Sequence, residues 1–152
     1  MTEPSGRLDA IWLKRAHRGV MDEVHEATAV AGKGLEGNVD RSRRRQVTII
    51  EREAFDAMRK ELGADVPASS RRANLMVRGV ALKDTRGRVL RIGGVRFLIG
   101  GETTPCERMD EAHPGLRAAM RPEWRGGVFA QVLDDGVLTV GDAVGWEAPE
   151  AR

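Results

Sequence analysis

Tyrosine is absent from this 152-residue chain, and cysteine occurs once. One cysteine cannot close an intramolecular disulfide, and a free thiol survives best in a reducing compartment, so the cytoplasm is the expected location. Aromatic residues make up only 4% of the chain, too few for a base-stacking surface, and nucleic acid is not an expected partner. No apolar run approaches the roughly 18 residues that a spanning helix needs, so no membrane partner is expected either. The opening stretch, "MTEPSGRLDAIWLKRAHRGV", puts Asp9, Lys14 and Arg15 where a secretory leader is uncharged, and no signal peptide is read from it. His17, His25 and His113 are far apart, with no Cys-x-x-Cys or His-x-x-x-His pair, so zinc at the usual spacing is not expected. Neither Gly-Lys-Ser/Thr nor Gly-x-Gly-x-x-Gly occurs at the start of a helix, which leaves out the common nucleotide loops.

What is present fits a single domain able to bury a core without disulfides. Hydrophobic residues form 41% of the chain and charged residues 32%, with a net charge of +2. The basic residues are overwhelmingly arginine, whose rigid fork of donors suits phosphate or carboxylate better than lysine does.

Segments 8–17 and 22–30 mix apolar and polar residues with partial alternation and read as two strands separated by "RGVM". "AGKGLEGNVDRSRRR" (31–45) is a loop by composition, followed by a β-branched strand over 46–50. Residues 51–63 place Ala54, Phe55, Met58 and Leu62 on one helical face, with Arg59 and Lys60 near the end and Gly63 as the stop. Short strands are expected at 74–77 and 79–82. A hairpin over 88–101 turns at Gly93-Gly94, and a short helix is expected over 113–120. From 126 to 147 the pattern is strand, Asp135-Gly136 turn, strand, Gly141-Asp142 turn, strand. Many short strands with close turn signals predict a mostly β fold, a barrel or compact sandwich with a few short helices.

Two stretches invite chemistry. The 31–45 loop combines glycines, which let backbone N–H groups approach a ligand, with Arg41, Arg43, Arg44 and Arg45, which suit an anion. A solvated basic loop is the alternative. In the second stretch, the strand "VRFLIG" leads through Gly100-Gly101 and "ETTPC" to the thiol of Cys106. Thr103 and Thr104 can donate hydrogen bonds there, and Arg108 can favour the thiolate. A buried, inert cysteine is the alternative.

The order of several separated elements resembles the MOSC domain family, named after the C-terminal domain of molybdenum-cofactor sulfurases. They are "GLEGNVDRSRRRQVTIIERE" (34–53), "RRANLMVRGV" (71–80), "GRVLRIGGVRFLI" (87–99), "TPCERMDEAHPGLRAAM" (104–120) and "RGGVFAQVLDDGVLTVGDAV" (125–144). The resemblance covers about residues 20–147 and implies one domain of barrel-like β fold over 1–152. It implies a stand-alone bacterial-type member that binds molybdenum cofactor, or a related sulfur species, through Cys106. By the same resemblance Cys106 is the catalytic residue and the molybdenum ligand, Arg72 and Asn74 (the Arg-x-Asn element) lie against the cofactor, Thr104 contacts it, and Arg45 and Gln46 match the "RQV" element. The implied chemistry is redox or sulfur transfer, with reduction of N-hydroxylated small molecules as one form. A cysteine desulfurase or an electron-donor protein is the implied partner. Two alternatives stay open: a persulfide carrier without metal, and a non-enzymatic anion-binding module using the arginine-rich loop. Two departures bear on this. Gly37-Asn38-Val39-Asp40 stands where many members have Gly-Asp-x-His, and no segment resembles the pyridoxal-phosphate desulfurase domain of the sulfurases, so pyridoxal phosphate is not an expected cofactor.

Overall fold

The computed structural model describes residues 6–17, 19–39, 42–63, 65–104 and 108–148. Its first strand, β1 (Gly6–Lys14), buries apolar side chains on both faces: Leu8, Ile11 and Leu13 on one, Ala10 and Trp12 on the other. A strict two-residue period cannot put both Leu8 and Ile11 on the same face. The ladder to β6 (Leu75–Arg78) resolves this, because Leu8 pairs with Val77 and Ala10 with Met76, leaving Asp9 as the extra residue of a bulge. The Asp9 carboxylate meets Arg78 at 2.8 Å and Arg52 at 3.3 Å.

The remaining strands are β2 (Met21–Val24), β3 (Glu26–Val30), β4 (Gly34–Leu35), β5 (Val47–Glu51), β7 (Val89–Ile92), β8 (Val95–Glu102), β9 (Val128–Val132), β10 (Gly136–Thr139) and β11 (Ala143–Trp146). Seven strands form a barrel in the order β11-β7-β8-β9-β5-β6-β1, closed by pairing of β1 with β11. β2 extends β1 on the outside, while β10, β3 and β4 make a separate three-stranded sheet. The fold is therefore mostly β, as expected. β5 and β6 run parallel, and the required crossover is the helix α1 (Arg52–Leu62), which ends at Gly63 with φ 62°. α2 (Arg108–Ala112) and α3 (Leu116–Met120) complete the helices, with α3 falling inside the expected 113–120.

The barrel interior is filled by aliphatic side chains and Phe97. A second cluster lies outside the barrel wall, where Phe55 and Met58 of α1, Met109 of α2, and Leu116 and Met120 of α3 cover Ala10, Trp12, Ile50 and Met76. Period-two alternation gives no account of this helix-covered patch, which is why β1 and β5 read as strongly apolar.

Two expectations are corrected. The segment 22–30 is not one strand: it breaks at His25, with β2 pairing to β1 and β3 leaving for the small sheet. Residues 79–82 form no strand. Their backbone N–H groups instead bond to side chains of the β5–α1 corner, Gly79 to Glu53 Oε2 at 2.7 Å and Leu82 to Glu51 Oε2 at 3.1 Å. Carboxylates thus replace a strand partner.

Candidate functional site

β8 carries a second bulge, at Gly100. Ile99 pairs with Ala130 and Gly101 with Phe129, so Gly100 is the extra residue. A Cβ on Gly100 would come within 2.4 Å of Phe129 Cε2, so a side chain at 100 would displace the ring. Val128, Ala130 and Val132 fill the interior, which turns Phe129 to the outer face.

From this bulge a row crosses the outer wall of the barrel. Gly101 pairs with Phe129, Phe129 with Thr48, and Thr48 lies level with Asn74 through the Ile49–Leu75 register. The row ends at Trp12, whose N–H donates to Asn74 O at 2.7 Å. Five chain segments distant in sequence meet here, and the chain leaving β8 toward residue 103 starts from one end of the row.

Asn74 is almost fully buried and fully engaged within the chain. Its Nδ2 donates to Trp12 O at 3.1 Å and to Asn38 Oδ1 at 3.0 Å, and its Oδ1 accepts from the Thr48 N–H at 3.1 Å. Asn38 in turn accepts from the Lys14 N–H at 2.7 Å and donates to Val39 O. This pair of buried amides pins the 36–39 turn to β1, β5 and β6. The neutral amide of Asn38 suits a place that must both donate and accept.

Arg72 has φ 55°, uncommon outside glycine, and reaches Gly19 O with Nη2 at 2.8 Å. It faces the turn between β1 and β2 at the Asn74 end of the row. Arg45 lies at the other end, its guanidinium 4.7 Å from the centroid of the Phe129 ring. Gln46 is buried, donating to Arg43 O at 3.0 Å and accepting from the Val132 N–H at 2.8 Å, so it clamps the arginine loop to β9. Thr104 is exposed and follows Thr103, whose N–H donates to Gly127 O at 2.9 Å. The Thr103 Oγ1 is buried and has no hydrogen-bond partner among the described residues. Cys106, with Pro105 and Glu107, lies outside the described residues.

Sequence reasoning gave Arg72 a role and passed over its neighbour. Arg71 is 5% exposed, donates through Nη2 to Gly126 O at 2.6 Å and approaches Met109 Sδ at 3.4 Å through Nη1. It fastens the 68–71 turn to α2 and to the chain entering β9. The doubled arginine "RR" was the only available signal, and nothing in it says which guanidinium turns inward.

Titration shifts fall on the framework around the site. Burial pushes the Glu51 carboxyl up, opposed by the Leu82 N–H and reinforced by the charge of Glu53. The hydrogen bond from Arg125 holds Glu61 low, that from Arg96 holds Asp134 low, and Lys83 and Glu123 shift each other in the directions of an ion pair. Among the described residues no group of three or more His, Cys, Asp or Glu side chains is placed to hold a metal ion. Nor, among the described residues, is any helix long and apolar enough to cross a membrane.

The architecture is a closed barrel backed by helices on one wall. The MOSC domain model matches residues 22–145, and the chain belongs to the MOSC domain family. Among solved structures it is similar to the YUAD protein of Bacillus subtilis, with TM-score 0.79 and 18% identity over 91% of this chain and 93% of that one. YiiM of Geobacillus stearothermophilus matches with TM-score 0.73 and 17% identity, over 94% of this chain and 75% of that one. YiiM of Escherichia coli matches with TM-score 0.70 and 16% identity, over 96% and 72%. At these identities the likeness is one of fold. No curated protein matches the chain.

Proposed function

We propose that this MOSC protein holds molybdenum cofactor through Cys106 and serves redox or sulfur-transfer chemistry on a small molecule. The observation that supports this most is the row from Gly101 through Phe129 and Thr48 to Asn74. It gathers the start of the cysteine-bearing segment, the Arg45 guanidinium and the Arg72–Asn74 element on one wall.

The donors present fit such a group. Its dithiolene and metal call for a soft sulfur ligand, and its phosphate calls for guanidinium or hydroxyl donors. Cys106 supplies the sulfur. The orphaned Thr103 hydroxyl, three residues earlier, is a buried polar atom that gains a partner if an acceptor lies beside it. Arg45 and the exposed hydroxyl of Thr104 add donors, while Asn74 and Gln46 hold the wall and loop in register instead of reaching outward. Bound molybdenum would supply electron transfer, and the chain's own part is to bind, orient and set the charge around the thiol.

The test is expression in a host that makes the cofactor, with molybdenum and pterin measured in the wild type and in Cys106→Ala. Stoichiometric metal in the wild type and its loss in the variant are expected. Equal metal in both, or none in the wild type under saturating cofactor, overturns the ligand role. A persulfide carrier is favoured by the internal commitment of the Asn74 amide, which leaves fewer donors for a large ligand. Incubation with a cysteine desulfurase and free cysteine, from which the desulfurase takes a sulfane sulfur and leaves alanine, then adds one sulfur, about 32 Da, to Cys106 by mass spectrometry, as for a reactive thiol.

A further inference from the structure

Several described arginines, Arg86, Arg88 and Arg121 among them, form no ion pair among the described residues, and only at 43–45 do three such arginines follow one another. Arg15, Arg52, Arg59, Arg78, Arg91, Arg96 and Arg125 all have carboxylate partners within ion-pair distance. The consecutive Arg43, Arg44 and Arg45 have none among the described residues, and with Ser42 and Phe129 they line an open depression of about 370 Å³. Three like charges in sequence repel one another, weakly because they are exposed to water, and a bound anion would offset that repulsion.

The backbone under these side chains is built rather than loose. Ser42 and Arg45 exchange two bonds, Arg45 N–H to Ser42 Oγ at 3.1 Å and Ser42 N–H to Arg45 O at 3.2 Å. The carbonyl of Arg43 is held by Gln46 Nε2 at 3.0 Å and approached by Gln131 Nε2 at 3.4 Å. Gln46 is itself tied to β9 by the Val132 N–H. The Arg45 guanidinium lies over the Phe129 ring, and the ring is backed by Gly100, where a Cβ would be 2.4 Å away. Stacking holds the plane of a guanidinium and leaves its N–H edge free for an acceptor.

We propose that the Ser42–Arg45 turn is a binding site for a phosphate dianion, either free phosphate or the monoester of a small molecule, with Phe129 as the platform that orients Arg45. A tetrahedral oxyanion presents several acceptors at once, which matches a fork of donors from neighbouring guanidiniums. The site shares Arg45 with the proposed cofactor reading and deepens it at the phosphate end, but it needs no thiol, so it can be tested without Cys106.

The test follows the arginine Nε–H signals of the full chain by nitrogen-edited NMR, at constant ionic strength. Inorganic phosphate, phenyl phosphate, sulfate and a short single-stranded oligonucleotide are titrated in turn. Saturable shifts of Arg45 and of Arg43 or Arg44 with phosphate or the monoester are expected, strengthening as pH rises through each ligand's own second ionisation. Arg44→Gln should weaken binding about tenfold, the value of one charge-assisted bond. Arg45→Lys should also weaken it, because charge is kept and the stacked fork is lost. Arg91→Gln, remote and paired to Glu147 in the wild type, should bind as the wild type does. Tighter binding of phosphate than of the monoester assigns the free ion, and the reverse order assigns an organic phosphate. A linear response, equal affinity in Arg44→Gln, or binding of the oligonucleotide alone overturns the proposal. Cys106→Ala is expected to bind phosphate unchanged, so failure here and failure of metal uptake are separate results.

Discussion

Asn74 illustrates how a residue's type can be read while its task is not. Asparagine before a strand marked the place, and the family resemblance attached it to a ligand. In the fold its side chain bonds Trp12 O, Asn38 Oδ1 and the Thr48 N–H, all buried or partly buried. Removing it leaves those groups unsatisfied in a site with little access to water, so Asn74→Ala should lower stability by about 2–4 kcal/mol in urea denaturation. Asn38→Ala should be costly as well, and the double variant less so than the sum, because each single change already breaks the shared bond. Additive costs would mean that the two amides act independently. Gln46 carries the same lesson: its position beside arginine was legible, but its work as a clamp depends on β9, 86 residues away from it in sequence.

Among the elements, α1 was the most legible, because its face, its charges and its glycine stop are all local signals. The 79–82 segment was the least, since the groups that capture it come from Glu51 and Glu53. That corner has a pH consequence. The folded carboxyl of Glu51 sits above its ordinary 4.5, so the fold binds this proton more tightly than the unfolded chain. Its contribution therefore rises as pH falls through the raised value and is complete below 4.5. Glu51→Gln should be more stable than the wild type at neutral pH and lose that advantage in mild acid, as followed by thermal melting across pH. Glu61, held low by Arg125, has the opposite sign: its contribution is present above 4.5 and is lost as pH falls through its lowered value. Arg125→Gln should accordingly flatten the acid limb of the same melting series, and an unchanged limb would show that this pair contributes nothing in solution.

At the scale of the whole molecule, closure of the barrel rests on a short contact. β1 meets β11 through Gly6–Val144 and Arg7–Ala143. A Cβ on Gly6 would lie 2.7 Å from Arg78 O and 3.0 Å from Val144 O, both backbone atoms that cannot swing away. Gly6→Ala should therefore cost about 1–3 kcal/mol, and hydrogen exchange should speed up in β11 before β5. Stability equal to the wild type would place the closure elsewhere. The sequence by itself determined the mostly β class, the main helix, the hairpin at Gly93-Gly94, the lone thiol and the family, because these follow from periodicity, turn chemistry and ordered motifs. Only the tertiary structure decided which apolar faces the helices cover, that the segment 22–30 divides between two sheets, and that Arg71 turns inward. It also decided that Phe129 stands between Gly100 and Arg45. The faces of β1 depend on the bulge at Asp9 and the place of Phe129 on the bulge at Gly100, while the split of 22–30 and the turn of Arg71 depend on partners far along the chain.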